Sequence, residues 1–188
     1  MFDLLYKKIS TIVTVDEKQF DYFKTLFVPR KLRKRQYFLQ EGDVSKYQAF
    51  VDNGMLRSYT IDEKGSEHVL QFASEGWWMA DISSYLNDES SFLNMDAIED
   101  AELLLINKSS WEMAMHKIPK LERYFRIIIQ NHLVATQKRL LQSFTETAEE
   151  KYVRFLHTFP DCEQRVPLQM IASYLGIKRE TLSRLRKK

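Results

Sequence analysis

The chain has 188 residues, 44% of them hydrophobic and 29% charged, with a formal net charge of +2. That is the composition of an ordinary globular protein, long enough for one medium domain and a small one, and it excludes a disordered or collagen-like chain. No apolar run approaches the ~20 residues of a bilayer span, and Met1 to Lys8 lack the charged-then-apolar order of a signal peptide, so a cytoplasmic protein without a membrane partner is expected. Cys162 stands alone, which excludes an internal disulfide and leaves too few thiolates for an iron–sulfur cluster or structural zinc. His68, His116, His132 and His157 are scattered without metal spacing, and no cofactor is expected.

In chain order, residues 1 to 28 read as helical, with Phe20, Phe23, Leu26 and Phe27 on one apolar face and Pro29 as the terminator. The basic run Arg30 to Arg35 reads as a solvated turn before a strand. From Tyr37 to Asn107 the pattern changes to short aromatic and β-branched stretches. These are Tyr37-Phe38-Leu39, Ala49-Phe50-Val51, Leu56 to Ile61, His68 to Phe72 and Leu103 to Ile106. Turn chemistry separates them at Glu41-Gly42-Asp43, Asp52-Asn53-Gly54 and Asp62-Glu63-Lys64-Gly65, which predicts an antiparallel β-roll or sandwich.

Ser109-Ser110-Trp111-Glu112 has capping-box form and predicts a short helix. Pro119 then fits the first position of a second helix that can run to about Thr147, roughly 40 Å long. Its apolar residues cover more than half the helix surface, so one face can pack on the roll while another pairs with a second copy; Leu121, Phe125, Ile128 and Leu140 are the candidate pairing positions.

The C-terminal stretch carries the most specific signal. Ile171, Leu175, Leu182 and Leu185 recur at helical spacing, Ala172 is small where two helices cross, and Gly176 lies where a connecting turn needs positive φ. This is a helix-turn-helix, and on its second helix Arg179, Glu180, Ser183 and Arg184 fall opposite Leu182 and Leu185, free to enter a major groove. Gln169, Lys178, Thr181 and Lys187 complete the candidate DNA-binding set. From Lys151 to Lys188 there are nine Lys or Arg against three Asp or Glu, a net of +6, whereas the remainder nets −4. Phosphate attraction supplies most non-specific DNA affinity, so the basic end coincides with the segment that would need it.

The expected class is therefore α+β: a roll with flanking helices over 1–118, a long dimerisation helix over 119–147 and a helix-turn-helix over 148–188. These pieces in this order resemble the family of the cyclic-AMP receptor protein and the fumarate–nitrate regulator (CRP/FNR). The resemblance rests on Glu41-Gly42-Asp43, Val51-Asp52-Asn53-Gly54, the long helix and Gly176 to Arg184. It implies a cyclic-nucleotide-binding-like antiparallel β-roll of the jelly-roll type, a winged helix-turn-helix and a dimeric regulator of transcription. Its implied partners are double-stranded DNA, RNA polymerase and a small-molecule effector of unknown identity. It also implies that Arg179, Glu180 and Arg184 read base edges, consistent with bidentate guanidinium contacts to guanine and carboxylate acceptance from cytosine.

In members of that family that bind cyclic AMP, a glutamate holds the ribose and an arginine neutralises the phosphate. Here Asp81 stands in the first place, and Ser91-Phe92 where the arginine and its serine neighbour belong. Cyclic-nucleotide binding is not expected, because the phosphate would lose its charge-assisted partner. Trp78, Met95 and Phe92, with Asp81 and Ser91, are the candidate lining of a pocket for another, apolar effector. Lys178 replaces the usual Ser or Thr cap before the second helix, and the 160–167 connection is short for a wing. Two alternatives to a DNA-binding regulator are a roll that senses an effector without specific DNA binding and an enzyme. For the enzyme no Ser–His–Asp set, metal cluster or phosphate-cradling glycine loop is present in the sequence.

Overall fold

The computed structural model describes residues 1–160 and 162–187. In chain order the elements are α1 (Asp3–Ser10), α2 (Glu17–Lys24), β1 (Val28–Leu32), β2 (Tyr37–Leu39), β3 (Tyr47–Asn53), β4 (Leu56–Ile61), β5 (Glu67–Ala73), β6 (Trp78–Met79), α3 (Ile82–Asn87), β7 (Asn94–Ala97), β8 (Ala101–Asn107), α4 (Lys108–Lys117), α5 (Lys120–Thr145), α6 (Ala148–Thr158), α7 (Cys162–Arg165), α8 (Leu168–Leu175) and α9 (Arg179–Leu185). The strands form two four-stranded sheets, ordered β1-β8-β3-β6 and β2-β7-β4-β5. The pairings of β8 with β1 and β3, of β3 with β6, and of β2 with β7 are antiparallel.

Strand β8 shows why four consecutive apolar residues make a strand rather than a helix. Successive side chains point to opposite faces, and both faces are covered. Leu103 and Leu105 enter a core with Leu39, Ala49, Val51, Leu56, Met79 and Met95. Leu104 and Ile106 enter a second core with Leu5, Ile9, Phe20 and Phe23 from the first two helices and Ile118, Leu121, Tyr124 and Phe125 from further along the chain. Between β3 and β4 the chain turns at Gly54, at φ +87°, where an added methyl would run into the Asp100 carbonyl and Ala101.

The N-terminal segment expected as one helix is two. Asp16 starts α2 by accepting the Gln19 N–H at 2.8 Å, while Gln19 returns the bond to the Asp16 N–H. That capping box breaks the helix where the apolar spacing alone did not show it. Pro29 sits inside β1, which lies at the end of its sheet, a position where a missing N–H is tolerated. The basic run is accordingly part strand and part turn, and it faces acidic groups: Lys31 pairs with Glu102 at 2.6 Å, and the Lys34 N–H donates to Asp100 at 2.8 Å. Helix α4 is capped by Asn107, which accepts the Ser110 N–H at 2.8 Å, so its start lies ahead of the expected Ser109 cap.

The chain divides into two compact units, residues 1–58 with 72–129, and residues 59–71 with 130–188. The second unit thus includes the loop-and-strand segment between Tyr59 and Gln71 along with the C-terminal helices. The expected wing is a correction. Among the described residues no strand follows β8, and the 160–167 connection instead holds the single turn α7 between α6 and α8. Eight residues already carrying a helical turn leave no length for a hairpin.

Candidate nucleic-acid interface

Helix α6 begins with a reciprocal cap: Thr147 Oγ1 accepts the Glu150 N–H at 3.3 Å, and Glu150 accepts the Thr147 N–H at 2.8 Å. These bonds to Thr147 hold the Glu150 carboxyl below its usual range. Tyr152 and Phe155 on α6, Phe159 and Cys162 after it, and Ile171, Ala172 and Leu175 on α8 are buried together with Leu182 of α9. Phe155 and Phe159 each lie within 6.0 Å of the Tyr174 ring centroid. This apolar floor fixes α8 and α9 without using their outward residues.

The turn between the two helices is closed by Gly176 at φ +65°, with the Ile177 N–H donating to the Ala172 carbonyl at 3.0 Å. That six-to-one bond is a Schellman ending, which needs a left-handed residue at Gly176. Space around Gly176 is open, so backbone conformation rather than crowding selects the glycine. Lys178 precedes α9 in extended conformation and caps it with no side-chain hydrogen bond.

Leu182 is 0% exposed, while Arg179, Glu180 and Arg184 on the same helix are exposed. Lys178, Lys187 and Gln169 are also exposed, and Thr181 and Ser183 are half-buried. Among basic residues at this end, Arg186 is committed elsewhere. It pairs with Glu163 at 3.0 Å, and Glu163 also accepts the Tyr152 hydroxyl at 2.5 Å. Burial and that carboxylate push the Tyr152 pKa up to about 12.

A contact that the sequence did not announce holds α8 from the other side. Ser173 Oγ accepts the Val69 N–H at 2.9 Å and donates to the Glu67 carbonyl at 2.7 Å. Arg139 donates to the Leu70 carbonyl at 2.6 Å and lies 4.8 Å from the Tyr174 ring centroid. The partners on β5 are backbone groups, so no side-chain pattern could have flagged them.

Of the candidate pocket residues Asp81 and Ser91 meet, but Trp78, Phe92 and Met95 do not join them in one lining. Asp81 caps α3 by accepting the Ser84 N–H at 3.1 Å and also accepts the Ser91 hydroxyl at 2.7 Å. Trp78 packs among Phe50, Trp111 and Phe125, at 5.2 to 5.8 Å between ring centroids. Met95 is buried in the other core, and Phe92 is 78% exposed. From Ala80 to Met95 the chain carries no Lys, Arg or His. The nearby arginine that sequence reading passed over, Arg57, is buried and held by Asp96.

Along α5, Leu121 and Phe125 are buried in the core of their own chain and so are not free for a partner, while Ile128 is half-buried against that core. Leu140 is 59% exposed, and Ile129, Leu133 and Phe144 are exposed as well. At about 100° per residue these four lie within about 60° of the helix circumference.

Residues 29–117 match the model of the cyclic nucleotide-binding domain. The fumarate and nitrate reduction regulatory protein of Vibrio cholerae is 26% identical over 184 residues, covering 92% of this chain and 73% of that protein. Regulatory protein HlyX of Actinobacillus pleuropneumoniae is 26% identical over 190 residues, covering 92% and 76%. FixK2 from Bradyrhizobium japonicum shares the fold with a TM-score of 0.74 at 23% identity, over 86% of this chain and 83% of that one. In sequence the chain is similar to these transcription regulators over most of its length, and it shares the CRP/FNR fold. Among the described residues no helix is long and apolar enough to cross a membrane.

Proposed function

We propose that this CRP/FNR-type regulator binds double-stranded DNA sequence-specifically as a homodimer, with α9 in the major groove. Arg179 and Arg184 read guanine edges, Glu180 reads cytosine, and Gln169, Lys178, Thr181, Ser183 and Lys187 position the helix on the backbone. The observation that carries this reading is the division of α9 itself, with Leu182 wholly buried and Arg179, Glu180 and Arg184 exposed. The exposed stripe Ile129, Leu133, Leu140 and Phe144 supplies the seam between two copies. Such a pair sets its recognition helices about one DNA turn, ~34–36 Å, apart.

The roll works without a cyclic nucleotide. Asp81 is spent on Ser84 and Ser91, and the segment from Ala80 to Met95 offers a cyclic phosphate no cation. A buried phosphate without a partner is costly. The protein acts in the cytoplasm, where its DNA target is. Selection of bound DNA from a random pool tests the whole reading. The expected outcome is a palindromic consensus with half-sites one turn apart, and a pool that shows no enrichment contradicts it.

A further inference from the structure

The second compact unit holds the C-terminal part of α5, the helices α6 to α9 and the end of the β4–β5 hairpin. Helices α6, α8 and α9 pack on one another, so the candidate recognition helix moves with that body. The body is tied to α5 in two places. The first is the elbow at Glu146 and Thr147, between the end of α5 at Thr145 and the start of α6 at Ala148. There Arg154 Nε donates to Glu146 at 3.1 Å, and Lys151 Nζ donates to the Ser143 carbonyl at 3.0 Å. The second is Arg139, about 10 Å back along α5 from Glu146. Its guanidinium lies 4.8 Å from the Tyr174 ring centroid on α8 and donates to the Leu70 carbonyl of β5 at 2.6 Å. Next to Tyr174, the Ser173 hydroxyl spans the same strand, accepting the Val69 N–H at 2.9 Å and donating to the Glu67 carbonyl at 2.7 Å.

A body joined to a helix by one elbow keeps the freedom to swing about it, and a second tie at a distance removes that freedom. The second tie is not what folds the helix-turn-helix. Ile171, Leu175 and Leu182 close its apolar floor, whereas Ser173 and Arg139 direct their hydrogen bonds to the backbone of the hairpin. Strand β5 ends its sheet, the position from which a strand presents backbone groups to a neighbour. Leu140 follows Arg139 and lies ~100° further round α5, on the exposed stripe proposed as the seam between two copies. Tie and seam therefore share one turn of helix. In a pair joined along that seam, the angle held by Arg139 and Ser173 is carried directly into the separation and facing of the two recognition helices.

We propose that Arg139 and Ser173 are positioning residues that set which half-site spacing the protein accepts, acting through the angle of the helix-turn-helix rather than through a base. The inference rests on the dimeric DNA binding proposed above. Its test measures the full chain on three DNAs: two half-sites at the selected spacing, the same site with two base pairs inserted between them, and one half-site alone. The insertion turns one half-site by ~70° about the duplex axis, at ~10.5 base pairs per turn. The parent should lose about tenfold or more in affinity on insertion, because a pair held at a fixed angle no longer engages both halves. Ser173→Ala with Arg139→Met should reduce that ratio to about threefold or less, with affinity for the single half-site unchanged. Ser173→Thr with Arg139→Lys, which keeps the hydroxyl and the cation, should restore discrimination. The proposal is overturned if Ser173→Ala with Arg139→Met keeps the parental ratio. It is equally overturned if that variant loses single half-site affinity by as large a factor as two-site affinity, since the contacts would then only hold the fold. A parent indifferent to the insertion refutes dimeric readout and the positioning role with it, whereas a discriminating parent matched by its variant refutes the positioning role alone.

Discussion

Arg57 on β4 grips both carboxylate oxygens of Asp96 on β7, Nε to Oδ1 at 2.8 Å and Nη2 to Oδ2 at 2.9 Å, with both side chains under a tenth exposed. A forked, buried pair of this kind is strongly destabilising to break from one side, because the survivor is left charged and unpaired. Asp96→Ala should therefore cost about 3–5 kcal/mol in urea unfolding. The double replacement Arg57→Met with Asp96→Leu should recover most of that loss. A single variant within 1 kcal/mol of the parent, roughly the value of an exposed pair, would show that the two charges are solvated.

The same pair bears on the effector. Arg57 is the arginine nearest in sequence to the segment expected to hold a phosphate, and Asp96 already occupies its fork. No calorimetric heat and no thermal shift are expected with millimolar cyclic AMP or cyclic GMP. Micromolar binding of either nucleotide would contradict the account of Asp81, Ser91 and Arg57.

How far the sequence carried can be seen residue by residue. The helix-turn-helix was legible because Leu182, Ile171 and Gly176 obey local rules of period and turn chemistry, and β8 because four apolar residues sat between turn signals. Helix α3 and strand β7 were not, since Asp81 and Asp88 bracket a six-residue helix too short to show a period. Phe92 and Trp78 looked alike as aromatic pocket residues, yet one is exposed and the other lies in an aromatic cluster. That difference depends on tertiary neighbours such as Phe125, which is 47 residues away from Trp78 in sequence. Arg57 left one unused signal: a lone charge in a strand whose other residues, Leu56, Ser58, Tyr59, Thr60 and Ile61, carry none.

The seam on α5 gives a test of assembly. Leu133 and Leu140 are more than half exposed, so aspartate at both positions leaves the folded chain undisturbed. Sedimentation at micromolar concentration should show a dimer for the parent and a monomer for Leu133→Asp/Leu140→Asp. A monomeric parent would remove the seam from the account.

Alkaline pH should loosen the fold through two tyrosines. Tyr85, by burial, and Tyr152, by burial and Glu163, both have pKa values pushed up to about 12 from an ordinary 10.0. The folded state thus favours the protonated phenol. The stability this contributes is whole below pH 10 and is lost as pH rises from 10 through about 12. The urea midpoint should fall across that window, and the fall should be shallower in Tyr152→Phe. An identical pH profile in parent and variant would mean that Tyr152 is not linked to unfolding there.

The assignment of α9 as the base-reading helix is tested most directly by repeating the random-pool selection with Arg179→Ala and with Lys187→Ala. Arg179→Ala should lose about 1–3 kcal/mol of specific binding and relax the consensus at one position in each half-site. Lys187→Ala should instead weaken all sequences alike and lower the salt dependence by about one phosphate contact. If Arg179→Ala selects the parental consensus with an unchanged ratio of specific to non-specific affinity, α9 does not read bases through Arg179 and the central claim fails.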